Sequence, residues 1–238
     1  MTLLSAVQQA ANEIGLLAPD TVIGNTDQQV KQYLALATRE GRDLAAREGP
    51  AGGWQQLRKE WTFSLVAAQA TYTPPTDLAF LIPQTGWDRT ARWQLMGPLS
   101  PQEWQVIKSG LSPAGPRLRY RLMGGLLYID PTPTATDSMV LEYYSTGWCQ
   151  SSGGTPQSAW ASDTDVFTLP EDLLVLGLKW RFLRAKGLDY IEERDLYEQA
   201  VARELGRAAD RRPLSICAAS VGDGLIGYDN IPDTGYGA

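Results

Sequence analysis

Three pairs of neighbouring carboxylates, Glu171-Asp172, Asp163/Asp165 and Glu192-Glu193, are the residues of this chain best suited to moving protons. Two carboxyls held across a sugar-sized gap can cleave a glycosidic bond, and eight tryptophans could supply the platforms such a site needs. Each pair also has a plainer role, which is the stronger one. Glu171-Asp172 opens a helix, where negative charge meets the helix dipole favourably. Asp163 and Asp165 fall in a loop, and Glu192-Glu193 lie near the start of another helix. A second constellation is Arg117, Arg119 and Arg121. At i, i+2 and i+4 of a strand they project from one face and leave Leu118, Tyr120 and Leu122 to the other. Such a row can meet an acidic partner or DNA phosphates, or it can be a solvated face whose charges blunt a sheet edge. Gly222-Asp223-Gly224 and Asp229-Asn230 lack the spacing and the closing Glu of a calcium loop. Neither GxxxxGK[ST] nor a GxGxxG after a strand occurs.

Composition narrows the chemistry further. The 238 residues include no histidine, which excludes a Ser-His-Asp triad, a Cys-His pair and any His-ligated metal within this chain. Cys149 and Cys217 lie far apart and outside any CxxC, so they form neither a metal knuckle nor a disulfide framework. A net charge of −6 argues against binding phosphate backbones by bulk electrostatics. The apolar fraction, 43%, is that of a globular chain with a real core rather than a disordered one. Residues 1–15 have no basic leader and do not read as a targeting segment. The longest apolar stretch, Leu173 to Leu178, is far short of the roughly 20 residues that span a bilayer. The expectation is therefore a chain without cofactor or membrane partner, cytosolic or part of an assembly made in a cytosol.

The elements that must position these residues follow from periodicity. Leu4, Val7, Ala11 and Ile14 mark an amphipathic helix stopped by Gly15. Thr26-Asp27-Gln28-Gln29 fits a capping box and opens a longer helix through Val30, Leu34, Ala37 and Leu44, in which Gly41 implies a kink or close packing. Gly49 to Gly53 ends it. Trp61, Phe63 and Leu65 alternate with Thr62 and Ser64 as a half-buried strand does. Strands are also expected at Thr71–Thr73, Ala91–Met96, Arg117–Met123, Leu126–Ile129 and Ser138–Thr146, with Gly124-Gly125 as a hairpin turn. Ser100-Pro101-Gln102-Glu103 is a second capping box, for a short helix to about Lys108. Residues 150–164 read as an exposed loop. From Pro170 a helix apolar on nearly every side runs to Gly187, and a last helix from Asp189 carries Tyr190, Tyr197, Val201 and Leu205 on one face.

The fold class is thus α+β. N- and C-terminal helices (1–58 and 168–207) form a helical bundle around a mainly antiparallel β-rich insertion (59–167), and residues 208–238 form an extended C-terminal arm. The arm has no helical period, yet Ile216, Val221, Leu225, Ile226, Tyr228, Ile231 and Tyr236 recur along it as anchors for another surface. An internal echo sets Thr71-Tyr72-Thr73-Pro74-Pro75-Thr76-Asp77-Leu78 beside Val166-Phe167-Thr168-Leu169-Pro170-Glu171-Asp172-Leu173. In each, an aromatic on an extended segment leads to proline, then an acid, then leucine.

These segments, with Leu126 to Pro131 and Leu141-Glu142-Tyr143-Tyr144 between them, carry a resemblance covering most of residues 1–207. The chain resembles the head-to-tail adaptor proteins of short-tailed bacteriophages, the tail tubular protein A or gatekeeper type. Pro74 is one departure, standing where that family usually has an apolar residue. The resemblance implies a structural protein, not an enzyme. It would assemble in the host cytoplasm into the virion, as a twelvefold ring of copies beneath the portal protein. It would extend the DNA channel, let genomic DNA pass without specific binding, and offer a docking platform to the tail nozzle protein. The arm residues would then be candidates for portal or subunit contacts, and Arg117, Arg119 and Arg121 for a charged interface. The alternative from the carboxylates and tryptophans is a carbohydrate-binding or glycan-cleaving tail component, requiring Trp87, Trp93, Trp148 or Trp160 in a carboxylate-lined groove.

Overall fold

The computed structural model describes residues 1–48, 53–110 and 117–208. Helix α1, Leu3–Ile14, starts at Thr2, whose hydroxyl accepts from the Ser5 N–H, and ends at Gly15 in the left-handed conformation. Helix α2, Gln28–Ala45, is capped by Asp27, whose carboxylate accepts from the Gln29 N–H at 2.8 Å. The cap is one residue later than the capping box at Thr26 implies, because a carboxylate one step on reaches the same orphan amides. The buried stripe of α2 runs through Val30, Tyr33, Ala37, Glu40 and Leu44, and Leu34 sits at its margin. A 3-10 turn, Gln55–Leu57, then leads into the β region.

The strands in chain order are β1 Arg58–Ser64, β2 Thr71–Tyr72, β3 Leu78–Leu81, β4 Trp87–Asp88 and β5 Trp93–Gln94. After helix α3, Pro101–Lys108, come β6 Arg119–Met123, β7 Leu126–Asp130, β8 Ser138–Ser145, β9 Cys149–Gln150, β10 Pro156–Gln157 and β11 Val166–Phe167. Helices α4, Glu171–Ala185, and α5, Ile191–Ala208, complete the described chain. The capping box at Ser100 forms as expected, with hydroxyl and carboxylate exchanging hydrogen bonds with the two backbone amides.

Strand β8 organises the largest sheet. β1 pairs along its whole length on one side, while β3 and β4 share the other and β5 extends β4. Two three-stranded sheets flank it, β2-β7-β6 and β10-β9-β11. The Gly124-Gly125 hairpin joins β6 to β7, both glycines having positive φ. The expected strand over 91–96 contracts to Trp93–Gln94, and the expected loop over 150–164 contains β10 and the buried Trp160. The echo does not make a repeat. β2 pairs with β7 whereas β11 pairs with β9, and only the second proline opens a helix.

Two apolar cores result. One is built from α1, α2, α4 and α5 and takes in Trp148, Cys149, Trp160 and Phe167 from the small β9 sheet. The other fills the space between the β8 and β7 sheets, around Leu65, Tyr120, Ile129, Met139 and Leu141. Helix α4 is central to the first, packing on α1, α2 and α5, as its nearly all-round apolar sequence requires. It runs parallel to α1, because the N-terminal ammonium pairs with Glu171 and Lys179 pairs with Glu13. It runs antiparallel to α2, because Tyr33 stacks on Phe182 while Glu40, seven residues on, meets Gly177.

Candidate functional site

Four of the six carboxylates that could do acid–base chemistry are occupied as structural groups, and the other two, Asp172 and Glu192, are exposed in the first turns of α4 and α5. Asp163 accepts the Val22 and Ile23 N–H groups, at 2.7 Å from the latter. Asp165, buried, accepts those of Ala161 and Ser162. Glu171 holds the N-terminal ammonium, and Glu193 holds Lys179 at 2.8 Å. The four tryptophans are not brought together either. Trp148 and Trp160 meet edge to face inside the helical core, with Phe167 beside them. Trp87 and Trp93 are half exposed on the β4–β5 pair, where they take opposite faces. Beside Trp87 lies an open hollow of about 460 Å³ that includes Glu60, Asp88 and Glu142. Glu60 is bound by Arg89, Glu142 by Arg58 at 2.6 Å, and Asp88 by the amides of Thr90 and Ala91. The buried Cys149 thiol is pushed up to about 12 by burial and the Asp165 charge, which makes it a poor nucleophile.

Arg119 and Arg121 alternate with the buried Tyr120 on β6, as the sequence pattern predicts, and Arg117 lies just before the strand, exposed. Leu122 departs from the pattern: it is exposed although it shares a face with the buried Tyr120. None of the three arginines forms a salt bridge among the described residues. The arm candidates Ile216, Val221, Leu225, Ile226, Tyr228, Ile231 and Tyr236 lie outside the described residues.

Two polar hubs escape sequence-level selection. The first sits in the helical core. Arg181 on α4 donates to Glu40 at 2.5 Å and to Asp43 at 2.8 Å, both on α2. Glu40 is 0% exposed. Burial raises its pKa, and the Arg181 charge only partly offsets this; for Arg181 burial is outweighed by Glu40 and Asp43, so its pKa rises too. Arg47 makes two bonds to Glu198, at 2.5 and 2.8 Å, and so ties the end of α2 to α5. The signal was present: Glu40 occupies the apolar stripe of α2 at the 37–40–44 spacing, and a carboxylate there needs a buried partner. The second hub is Asp77, the acid of the first echo segment. It accepts from Lys59 at 2.6 Å, Tyr143 at 3.0 Å and Ser145 at 2.7 Å, and its carbonyl accepts the Thr146 N–H. Burial would raise its pKa, but the bonds from Lys59, Ser145 and Tyr143 prevail and hold it below the ordinary aspartate value.

What the surface offers is apolar area. Leu17, Leu188 and Ile191 are more than half exposed. The helix directions put the end of α1 and the α4–α5 turn at the same end of the bundle. A largely apolar groove of about 600 Å³ opens between the end of α2 and the β8 sheet, lined by Ala45, Ala46, Ala79, Phe80 and Trp148. No described helix is long and apolar enough to cross a membrane. No curated protein matches the chain. The model of the SU10 adaptor protein family matches residues 1–220, so every described helix and strand falls within it, and the chain belongs to that family of bacteriophage adaptors, structural components of the virion.

Proposed function

We propose that this protein is a head-to-tail adaptor. Copies assemble as a ring, twelvefold in the form the short-tailed phage resemblance implies, beneath the portal. The ring extends the DNA channel and gives the tail nozzle its docking platform. The observation that carries this reading is the extent of the adaptor family match, residues 1–220 rather than a single module. The two separate apolar cores suit a helical domain, 1–58 and 168–207, and a β-rich insertion, 59–167, although Trp148, Cys149, Trp160 and Phe167 of the insertion pack into the helical core. The exposed Leu17, Leu188 and Ile191 at one end of the bundle suit a face that is covered on assembly. Arg117, Arg119 and Arg121, without salt bridges among the described residues, suit an acidic partner. The net charge of −6 suits a wall along which DNA slides without being held. In this reading the free protein associates weakly, and the 208–238 arm contributes to docking. Electron microscopy of the protein mixed with the portal of the same phage tests it. Rings added to the portal are the expected result; portals left bare at micromolar protein would end the reading.

A further inference from the structure

Among the described residues, strand β1 is an open edge of its sheet, and its charge is unevenly distributed. Its register with β8 continues into a bond from the Leu65 N–H to the Asp137 carbonyl, so odd-numbered residues exchange hydrogen bonds with β8. The even-numbered partners on β8 point the other way: the Glu142 carbonyl accepts from Ile82, and the Ser138 carbonyl from Arg89. The N–H and C=O groups of Glu60, Thr62 and Ser64 therefore face outward. None has a hydrogen-bond partner among the described residues. The charges that protect an edge, Arg58, Lys59 and Glu60, all sit in the first half of the strand, leaving Trp61 to Ser64 bare. On the core face of that bare half, Trp61 and Phe63 stack at 4.4 Å and remain only half buried, at the rim of the β core.

We propose that β1 is an acceptor edge and that residues 214–221 from a neighbouring copy of this chain add to it as a further strand. The donor is chosen by its sequence. Leu214-Ser215-Ile216-Cys217-Ala218-Ala219-Ser220-Val221 carries no charge and no proline, follows Pro213, and alternates apolar with small or polar residues over its first half. Extended, these residues cover about 26 Å, enough for the whole of β1. With Leu214 and Ile216 on the core face they complete the cover over Trp61 and Phe63, and Ser215 and Cys217 fall on the face of Glu60 and Thr62. Backbone bonds then supply the attraction and the half-buried aromatic rim the register. Each copy carries one donor and one acceptor, a heterologous contact that closes into rings or runs on as chains. The choice of a neighbouring copy over the chain's own tail rests on the ring reading above.

The native Cys217 provides the test. In the full-length protein, Thr62→Cys or Ser64→Cys is subjected to mild oxidation, alone at high concentration and with portal present, beside Thr155→Cys as an exposed control. The expected result is covalent dimers and higher oligomers at roughly tenfold the control or more, since a seated strand raises the local thiol concentration. They should vanish when Cys217→Ser is added. A disulfide closed within one chain would overturn the choice of a neighbouring donor. Cross-linking no higher than the control, under both conditions, would overturn the acceptor edge itself. Rings missing from the portal despite strong cross-linking would count against the ring reading alone.

Discussion

Gly177 and Gly41 are helix-interior glycines that propensity alone marks for replacement, since alanine gains about 1 kcal/mol in a helix. A Cβ at Gly177 would lie 2.3 Å from the Glu40 carboxyl carbon, and one at Gly41 would lie 2.4 Å from the Trp148 ring. Both neighbours are buried and cannot swing away, so overpacking, about 1–3 kcal/mol, outweighs propensity. Gly177→Ala and Gly41→Ala should each lower the melting temperature. Gly206→Ala, with nothing within 4 Å of its Cβ among the described residues, should leave it unchanged or raise it. Arg181→Met strands Glu40 in the core and should cost about 3–5 kcal/mol in urea unfolding, with Glu40→Met in the same chain recovering much of that. Asp77 gives a pH dependence of fixed sign. Its folded pKa lies below the unfolded one, so its contribution is full above the ordinary aspartate range and is lost as pH falls through the folded value. Thermal scans between about pH 6 and pH 3 should therefore show a shallower loss of stability for Asp77→Asn than for the parent protein. Glu40 works with the opposite sign: its raised pKa makes its burial most favourable when protonated, an advantage that fades as pH rises through the folded value.

At the level of elements, what was legible in the sequence was whatever local chemistry decides. The box at Ser100 specifies α3 to the residue, and Ser100→Ala should cost about 1 kcal/mol by chemical denaturation. Gly15 and the Gly124-Gly125 turn likewise act through their own backbone. Less was legible where pairing partners decide. Of the two-residue strands, β4, β9 and β10 had no signal of their own and form because a neighbour offers hydrogen bonds. Trp160 stands in a Ser- and Gly-rich run that reads as solvent-exposed, yet Trp148 and Phe167 enclose it. Of the polar hubs, Asp77 was visible as a turn acid, while its bonds to Lys59, Tyr143 and Ser145 depend on the register of β1 and β3 against β8. Open backbone along β1 was invisible for the same reason: alternation identifies a strand, not which of its edges lacks a neighbour.

For the whole molecule, family membership and the proposed ring make the arm the most informative deletion. Truncation after Arg207 leaves every described residue of both apolar cores in place, so the melting temperature should change little. Portal docking or ring formation, seen by electron microscopy, should weaken; a truncated chain that assembles normally would remove the arm from the mechanism. Strand β8 bears on how such an assembly carries load. Tyr144 belongs to the helical core, while Met139, Leu141 and Tyr143 of the same strand belong to the β core. In the proposed ring, a force on the β core would thus reach the helices along β8, shared by the many hydrogen bonds that β1, β3 and β4 make with it. It would not act as a bend about a soft linker. If the proposed ring is a channel wall under the pressure of a packed genome, such a stiff tie serves it better than a joint.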